Sequence, residues 1–595
     1  MNMGPFDSSR FLGYVSAVSP RGIQIHFPSA SLLSRFRHEG IQYPGGNVGE
    51  FIVLEGENYG FVARILSLEL PDSERKVLSE KAVREENSSF HPIANAELAF
   101  SFSMTSPEDM ERTISRFPEI GAKVYSCPIS FLQSIMSSSN KYLNETMCAS
   151  LGRIASNGME CSISLDAVFG RHCAVVGTTG SGKSWTVSRL IEALVSKTRN
   201  KVIILDPTGE YSSLDENNRV KSYTIGVDCH FPYESLFISD LFYLLRPTAQ
   251  SQRPILMEAI RSLKTVRIAS DSDISKIQSE VEKECLKKLQ LQIEKGCLKK
   301  HQFEKAEIEN FQFIHQNELD GAFCSFDFSC LIRQIKNECV KSQYDPKKWD
   351  TFDPKMYDYQ TSLIFRVRTL MTTQDFNSVF QFAKVDSKTS NPIPQIIDSF
   401  LTATDADILR FDFSQISASF NVRELVANII AKKLYSDAKA GMFKECPVLM
   451  FLDEAHLFLN KNLFDADQTI IPLDAFDLIA KECRKFGLFL CISTQMPRDI
   501  PVGTLSQMGT FVVHRLINEQ DRKVVETACS SASHTSLSYL PVLGPGEALL
   551  SGVDFPIPLL IKIDKPTLPP KSETPRLLQR LEEHGKTNSQ PKNES

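Results

Sequence analysis

The sequence predicts an α/β protein: a mainly parallel β-sheet core, preceded by a small β-barrel and interrupted by a helical insertion. Three observations support this fold class. Six short, continuous apolar runs follow residue 172, helical stretches separate several of them, and turn-rich strand candidates precede residue 105. The chain has 595 residues, of which 42% are hydrophobic and 23% are charged. This length and composition predict several folded domains and exclude global disorder.

The first element is the barrel, which we assign to residues 1–105. Its strand candidates are FLGYVSAVS, GIQIHF, FIVLEG and GFVARILSLEL, with SPRG, YPGGN and EGENYG as the turns. Apolar runs separated by Gly, Pro and Asn are typical of a small antiparallel barrel or sandwich. Residues 106–165 are mixed and Ser-rich, and we assign them to a connecting region.

The sheet core follows in two parts, at 166–245 and 401–565. Its predicted strands are Cys173–Val176, Val202–Leu205, Val448–Leu452, Leu488–Ile492, Phe511–Val513 and Leu559–Ile563. Continuous apolar runs of this length are typical of strands buried on both faces of a parallel sheet.

More than 200 residues separate the second and third of these strands, so their crossover must contain an insertion, which we assign to 246–400 as mainly helical. Within it, apolar residues recur at helical spacing at Ile274, Ile277, Val281, Cys285 and Leu289. A coiled coil is the alternative, although the pattern breaks near Gly296. We assign 566–595 to a tail that is disordered apart from a short helix over RLLQRLEEH.

The strongest chemical signal is GTTGSGKS, which directly follows the first core strand and precedes a helix-like run. Its glycines let consecutive backbone N–H groups point at phosphate oxygens, and the helix N-terminus adds its positive end. The lysine would contact the β and γ phosphates, and the serine would bind Mg²⁺. The alternative is a Gly-rich turn without nucleotide. The predicted ATP-binding residues are Gly177, Thr178, Thr179, Gly180, Ser181, Gly182, Lys183, Ser184 and Trp185.

Two acidic residues end the strand VLMFL. A carboxylate at the tip of a buried strand is costly unless it faces solvent or a cation. We therefore predict that Asp453 holds Mg²⁺ through water, with the Ser184 hydroxyl as the other ligand, and that Glu454 is the general base for the attacking water. The alternative is an ordinary strand-to-helix junction with an acidic cap. For His456, a packed and a catalytic position are equally compatible with the sequence.

Polar residues end two further strands. Asp206 and Glu210, in DPTGEY, would bring two more carboxylates near the nucleotide, although Asp-Pro-x-Gly also suits a type I turn. Gln495, in STQ, can sense the γ-phosphate and orient water, and the alternative is a polar strand terminus.

Two arginines flank core strands. Arg171 precedes the GTTGSGKS strand and Arg515 ends the FVVH strand. Hydrolysis of ATP needs a cation on the developing charge, which a neighbouring subunit often supplies, whereas a surface arginine more often forms an ion pair. Further basic residues are explained either by a solvated helix face or by nucleic-acid contact in a channel: Lys481, Arg484, Lys485 and Arg498.

Together these motifs resemble the HerA–FtsK branch of P-loop ATPases, and most closely the HerA family. The matching segments are GTTGSGKS, DPTGEY, FLDEAH, AKECRKFGLFLCISTQMPRDIP and FVVHRLIN, in the family's order. The strand-rich start lies where that family has its small HAS barrel, and GEALLSG resembles its C-terminal end. The resemblance implies a RecA-like core in a homo-hexameric ring. It also implies that Arg171 and Arg515 take part in hydrolysis, and it favours functional roles for Asp206 and Glu210.

The resemblance implies an ATP- and Mg²⁺-dependent DNA translocase or helicase that engages double-stranded DNA through the ring channel. It implies an effector protein in trans: a NurA-like or other nuclease, or a sirtuin-like NAD-degrading enzyme. DNA end processing or anti-phage defence would be the context. The alternative is a nucleotide-gated ring scaffold that regulates a toxic effector without processive translocation.

Charge and cysteine content bear on partners and location. The net charge of −6 favours the scaffold alternative and predicts that any DNA contact is local. The 14 cysteines include no CxxC pair, and the first residues lack a signal-peptide pattern. No apolar run approaches the roughly 18 residues that a membrane span needs. We therefore expect reduced thiols, a cytoplasmic location and no membrane partner.

Overall fold

The computed structural model describes residues 5–572 apart from a set of short gaps. The gaps are 21, 35, 39–40, 44, 72–73, 75–89, 106–109, 112–115, 129, 133–147, 156–157, 159, 274–278, 301–304, 342–350, 384–390, 418–420, 460–472, 530–536 and 556–557. Two predictions lie outside the described residues: the start of the helical pattern at Ile274 and Ile277, and the short helix over RLLQRLEEH.

The strands are numbered along the chain. They are β1 Phe11–Ser19, β2 Gly22–His26, β3 Phe36–His38, β4 Ile41–Tyr43, β5 Phe51–Leu54, β6 Tyr59–Glu69, β7 Ile93–Ser103, β8 Met110–Glu111, β9 Lys123–Ser126, β10 Cys148–Ile154, β11 Glu160–Ser164, β12 His172–Val176, β13 Lys201–Asp206, β14 Val220–Thr224, β15 Cys229–His230, β16 Ile293–Glu294, β17 Cys297–Leu298, β18 Asn391–Pro392, β19 Ile408–Asp412, β20 Val448–Leu452, β21 Leu488–Thr494, β22 Met508–Val513, β23 Glu547–Gly552 and β24 Leu559–Ile563.

The α-helices of the described residues are numbered in the same way. They are α1 Leu165–Phe169, α2 Lys183–Lys197, α3 Ile238–Leu245, α4 Gln252–Asp271, α5 Glu280–Gln292, α6 Ala306–Ile314, α7 Gln316–Leu319, α8 Leu331–Glu338, α9 Pro354–Asp358, α10 Thr361–Thr372, α11 Gln374–Phe380, α12 Ile393–Thr402, α13 Val422–Lys439, α14 Ala475–Glu482, α15 Val502–Leu505 and α16 Glu519–Ala528.

The predicted N-terminal barrel is confirmed. Strands β2, β1, β9, β5, β6 and β7 pair antiparallel in that order, and β7 returns to pair with β2, which closes a six-stranded barrel. The alternation along β7 is strict at its start, where Ala94, Ala96 and Leu98 are buried. On the outside of the barrel, Phe100 and Phe102 belong to the same buried cluster as one face of the core sheet. The barrel is therefore packed directly onto that core.

The core sheet has 11 strands in the order β11-β10-β24-β23-β22-β12-β21-β20-β13-β19-β14. The seven strands from β22 to β14 run parallel, which confirms the mainly parallel sheet. Every residue of β12, β13, β20 and β22 is buried, as expected of strands covered on both faces. Along β12, Cys173 and Val175 face one hydrophobic cluster, whereas Ala174 and Val176 face the other.

One strand prediction needs correction. Leu559–Ile563 does form β24, but it pairs antiparallel with β23 and β10. Within β24, Lys562 is exposed and Leu560 half-buried, because this strand is not covered evenly on both faces. Only six residues separate β23 from β24, and a connection that short joins antiparallel neighbours, because a parallel pair needs a longer crossover.

Helices dominate the segment between β14 and β19, and most of them pack on one face of the sheet. Helix α5 confirms the described part of the predicted helical pattern, with Cys285 and Leu289 buried in a small cluster of its own. Val281, predicted for the same apolar face, is instead 64% exposed. The helix ends at Gln292 and gives way to the β16–β17 hairpin around Gly296, whose φ of +75° suits glycine. No helix of the described residues is long and apolar enough to cross a membrane.

Candidate active site

Five adjacent strands carry the predicted motifs to one edge of the sheet. In the order β22, β12, β21, β20 and β13, each strand ends at this edge because all five run parallel. Motifs that are far apart in sequence are thereby in contact, such as Thr178 and Arg515, which are 337 residues apart. The residues that follow the five strands are, in the same order, Arg515, the loop 177–182, Gln495, the pair Asp453 and Glu454, and the turn that begins at Asp206.

The loop between β12 and α2 has the conformation that its glycines permit. Gly180 and Gly182 have φ angles of +72° and +112°, in the left-handed region that favours glycine. A Cβ on Gly182 would also lie 3.1 Å from the Cα of Gly546, which belongs to the turn before β23. The loop therefore leads into the N-terminus of the 15-residue helix α2 with its backbone exposed to the cleft.

Lys183 and Ser184 start helix α2 and already have partners within the protein. The Lys183 ammonium donates to the carbonyl oxygen of Thr178 at 3.4 Å, and Lys183 is only 6% exposed. The Ser184 hydroxyl donates to Glu210 Oε2 at 3.0 Å. Both groups line a cleft of about 420 Å³, which is the size expected of a small-molecule site. The other lining residues are Thr179, Gly180, Gly182, Trp185, Glu210, Glu454, Pro545, Gly546, Lys562, Ile563 and Ser572.

Asp453 is a buried carboxylate among other carboxylates. It is 3% exposed, and burial raises its pKa to about 7, with the negative charge of Glu454 as the next cause. Burial likewise raises the pKa of Glu210, and the neighbouring charges of Asp206 and Glu454 add to that rise. An anionic cluster of this kind suits a divalent cation.

Glu454 lines the cleft, and its backbone is unusual. Its φ of +41° is rare for a residue with a side chain, and such strain is characteristic of functional positions. His456 Nδ1 lies 3.3 Å from Glu454 Oε2 and 3.3 Å from the hydroxyl of Thr494. Burial lowers the pKa of His456. His456 therefore contacts the predicted base rather than the cleft itself.

Gln495 contacts the phosphate-binding loop directly. The hydroxyl of Thr179 donates a short hydrogen bond to Gln495 Oε1. Gln495 thus lies beside the loop residues that would surround the γ-phosphate, as its predicted sensing role requires.

The two carboxylates of DPTGEY lie in different environments. Asp206 is fully buried and accepts hydrogen bonds from the backbone N–H groups of Thr208, Gly209 and Tyr211 at 2.8–3.3 Å. It therefore closes the turn, as the type I turn alternative requires. Glu210, by contrast, points into the cleft and reaches Ser184.

The two predicted arginines lie at opposite edges of the sheet. Arg515 is at the motif edge, where its backbone oxygen accepts from the N–H of Thr178 at 2.9 Å. Its Nε is buried without a hydrogen-bond partner among the described residues. Arg171 precedes β12 and is therefore at the far edge, where its Nε donates to Asp554 at 2.9 Å. Within one subunit the structure does not bring Arg171 to the cleft.

The remaining basic residues have local contacts that suit a solvated face. Lys481 pairs with Asp477 at 2.5 Å, and Arg484 donates to the carbonyl oxygen of Gly170 at 3.0 Å. Lys485 lies over the ring of Phe486. These contacts give no support of their own to the nucleic-acid alternative.

Sequence reasoning missed His514, which is fully buried behind the loop. Its Nδ1 lies 2.9 Å from the carbonyl oxygen of Glu547, which can only accept, so Nδ1 carries the proton. Its Nε2 lies 2.8 Å from the hydroxyl of Thr186 on α2. The neutral imidazole thus joins α2 to the β22–β23 hairpin. The only sequence signal for this role was the position of the histidine at the end of the apolar run FVVH.

The turn before β23 is the second missed feature. The N–H of Gly546 donates to the carbonyl oxygen of Ser181 at 2.8 Å, and Pro545 lines the cleft. The Gly-Pro-Gly run at 544–546 is a clear turn signal in the sequence, but nothing there indicates where the turn lies.

Two family models match the chain. The model for the central domain of the helicase HerA matches residues 149–329, and the model for the HerA-like helicase C-terminal domain matches residues 434–579. Together they cover more than half of the chain.

Curated relatives agree with the two models. Probable helicase MJECL08 of Methanocaldococcus jannaschii is 25% identical over 401 residues, which are 66% of this chain and 66% of that protein, just under two thirds. The DNA double-strand break repair helicase HerA of Sulfurisphaera tokodaii is 24% identical over 70% of this chain and 69% of its own. Among solved structures, VirB4 of Thermoanaerobacter pseudethanolicus superposes with a TM-score of 0.41 at 14% identity, over 71% of this chain and 98% of its own.

The position of His514 predicts an unusual pH dependence of stability. We expect His514→Gln to lower the free energy of unfolding by roughly 1–3 kcal/mol at pH 7.5, because the Thr186 and Glu547 groups lose a well-placed partner. Burial lowers the pKa of His514 to about 4 from 6.5, so between these two pH values the unfolded chain takes up this proton and the folded protein does not. The glutamine of the variant takes up no proton in either state, so acidification destabilises only the wild type in this way.

The difference in free energy of unfolding between wild type and variant should therefore narrow by roughly 1 kcal/mol on going from pH 7.5 to 5.5. Urea unfolding of both proteins at both pH values measures this difference. A gap that stays constant or widens on acidification would show that His514 is not held neutral in the folded protein.

Proposed function

The chain belongs to the HerA family of P-loop ATPases, and from this premise we propose that it is an ATP-driven translocase on double-stranded DNA. In this proposal it works as a homo-hexameric ring with active sites between subunits. A separate effector, a nuclease or an NAD-degrading enzyme, is its partner. The family match supports a helicase-type ATPase, and the site itself supports the chemistry. The ring and the partner class are what the resemblance to this family implies.

One observation carries the proposal. Lys183, Ser184, Glu210 and Glu454 line the same cleft, and the buried Asp453 directly precedes Glu454. These are the groups that a P-loop ATPase needs: a cation for phosphate, a hydroxyl and a carboxylate for Mg²⁺, and a base for water. A Gly-rich turn without a nucleotide would not require carboxylates from two other strands at the same cleft.

The residues present fit a Mg²⁺ ion. The crowded carboxylate Asp453 and the hydroxyl of Ser184 would hold it, and the ion would shield charge on the phosphates. Among the described residues no group of three or more His, Cys, Asp or Glu side chains could hold a metal ion by itself. This agrees with Mg²⁺, which usually keeps several waters and binds one or two protein groups together with substrate phosphates.

The protein's own groups divide the remaining work. Lys183 would leave the carbonyl oxygen of Thr178 to bind the β and γ phosphates, and Ser184 would leave Glu210. Glu454 would then take a proton from the attacking water. The amide of Gln495, which is held at Thr179, would orient that water or report the loss of the γ-phosphate.

A test of DNA stimulation separates the translocase from a ring scaffold that only gates an effector. We expect double-stranded DNA to raise the ATP hydrolysis rate of the wild type severalfold, because a translocase couples ATP hydrolysis to movement along DNA. We expect Lys183→Ala to abolish hydrolysis with and without DNA, since Lys183 is the cation at the start of α2 that we assign to the β and γ phosphates. Lys197→Ala, at the exposed end of the same helix, is the matched control. Hydrolysis that is indifferent to DNA would favour the scaffold, and near-normal turnover of Lys183→Ala would contradict the site.

Glu454→Gln should separate binding from chemistry. The amide keeps the shape of the carboxylate but loses the base, so nucleotide affinity should persist while the single-turnover rate falls by roughly 10²-fold or more. Fluorescent nucleotide titration and single-turnover hydrolysis measure the two quantities. Glu216→Gln, an exposed carboxylate at the end of the turn that carries Glu210, is the control. Weaker binding with an unchanged rate constant would assign Glu454 another role.

Mixed rings test whether Arg515 acts across a subunit interface. Arg515→Ala subunits retain Glu454, and Glu454→Gln subunits retain Arg515, so some mixed interfaces regain both groups if the arginine acts in trans. We expect the steady-state hydrolysis rate to rise above that of either pure variant at intermediate mixing ratios. The backbone of Arg515 contacts Thr178 in the loop of its own subunit, so the arginine could instead act in cis. Action in cis would give no recovery of hydrolysis at any mixing ratio, in rings shown by mass spectrometry to be mixed.

A further inference from the structure

We propose that Arg410 is the positioning residue for Glu210, and that it holds this carboxylate at the nucleotide cleft by clamping both ends of the turn that carries it. The inference rests on the proposed ATPase function, which it extends to a residue on a strand with no motif. Arg410 lies in the middle of β19, on the side of β13 away from the loop strand β12.

The guanidinium of Arg410 is buried, and each of its three nitrogens donates to a carboxylate. Arg410 is 3% exposed, and its Nε donates to Asp206 Oδ2 at 2.9 Å. Its Nη1 donates to Asp215 Oδ2 at 3.1 Å, and its Nη2 to Asp412 Oδ2 at 2.9 Å. One side chain therefore makes three separate ion pairs from three different nitrogens. A lysine ammonium is a single compact charge and cannot reproduce this planar fork.

Two of the three carboxylates lie at the two ends of one turn. The 3-10 turn Glu210–Glu216 begins four residues after Asp206 and contains Asp215 near its end. Asp206 also accepts three backbone N–H groups from 208–211, so its carboxylate is fixed to the turn's start. Gly209, with a φ of +77°, lets the chain reverse there. The guanidinium thus fixes the start and the end of the turn relative to the sheet.

Glu210 is the first residue of the clamped turn, and its position follows from the clamp. Its Oε2 accepts from the Ser184 hydroxyl at 3.0 Å, across the gap between β13 and helix α2. Among the described residues, no contact other than the one with Ser184 fixes the Glu210 side chain, so its position relative to β13 depends on the turn that carries it. Its backbone oxygen accepts from the N–H of Lys571 at 2.8 Å, which holds the outer side of the turn only.

The clamp also connects the helical segment to the cleft. Strand β19 directly follows α12, the last helix of that segment, and it carries both Arg410 and its partner Asp412. A shift of β19 along its neighbours would therefore move the turn and with it Glu210. The helical segment is tied to the nucleotide site at this strand, which sequence analysis did not predict.

The test is a double-mutant cycle between Arg410 and Glu210. Arg410→Lys keeps a buried positive charge but loses two of the three ion pairs, and we expect kcat for ATP to fall about tenfold or more with KM changed less than threefold. Glu210→Gln should lower kcat to a similar extent. In the Glu210→Gln background, Arg410→Lys should cost less than a further twofold, because the residue acts through Glu210.

Two further variants keep the test decisive. Asp215→Asn removes only the partly exposed partner of Arg410, so it should fold even if Arg410→Lys does not, and it should lower kcat severalfold. Arg219→Gln is the matched control, because it breaks the ion pair to Asp407 at the starts of β14 and β19, the edge of the sheet opposite to the cleft, and leaves the three ion pairs of Arg410 in place. It should leave kcat unchanged.

The outcomes separate this inference from the proposed function. A wild type that hydrolyses no ATP would overturn the proposed function. With an active wild type, the inference is overturned if Glu210→Gln is fully active. It is also overturned if the effects of Arg410→Lys and Glu210→Gln on kcat multiply, or if Asp215→Asn and Arg219→Gln behave alike.

Discussion

Mutual repulsion among four crowded carboxylates, two of them buried and two half-buried, is the constraint on which the rest of the site depends. Asp206, Glu210, Asp453 and Glu454 share one edge of the sheet, and burial together with neighbouring charge raises the pKa of Asp453 to about 7. Two buried cations flank this group, Lys183 towards the cleft and Arg410 behind the turn. A buried carboxylate left without a partner would cost several kcal/mol. The two cations differ, because Arg410 is paired with three carboxylates, whereas among the described residues Lys183 donates to a carbonyl oxygen at 3.4 Å. Lys183 is therefore the cation that we assign to phosphate.

The sheet places these groups and the packing behind the loop keeps them in place. Parallel strands end at a common edge, so the order β22-β12-β21-β20-β13 fixes which motifs are neighbours. The glycine-rich loop needs rigid support, which comes from the turn at Gly546 and from His514. The positive charge of Lys183 adds to burial in lowering the pKa of His514. A neutral imidazole can sit behind the lysine without competing with it for phosphate.

Sequence reasoning predicted the parts of this site that are local in sequence. The apolar strands and the groups at their ends could be predicted because each motif has its strand, turn and functional residue within about ten positions. Strand β19 could not, since Arg410 and Asp412 interrupt its apolar run, and the other two partners of Arg410 lie about 200 residues earlier in the sequence. Val220–Thr224 is half polar because β14 is an edge strand, so it also gave no apolar signal. Asp206 accepts from Arg410 and from the backbone of its own turn, whereas Glu210 accepts from Ser184. Arg410 and Ser184 both lie outside the motif, which explains why the motif alone left both alternatives open.

The positions of the two predicted arginines place different requirements on the proposed ring. Strand β12 has five residues and is about 16 Å long, so Arg171 and the phosphate-binding loop lie at opposite edges of the same sheet. Arg171 is paired with Asp554 there, and it can reach a nucleotide only if another subunit brings its cleft to that edge. Arg515 lies at the motif edge of its own subunit, and its Nε has no hydrogen-bond partner among the described residues. Action in trans is therefore a geometric necessity for Arg171 if it acts at all, whereas for Arg515 the fold permits either subunit's cleft.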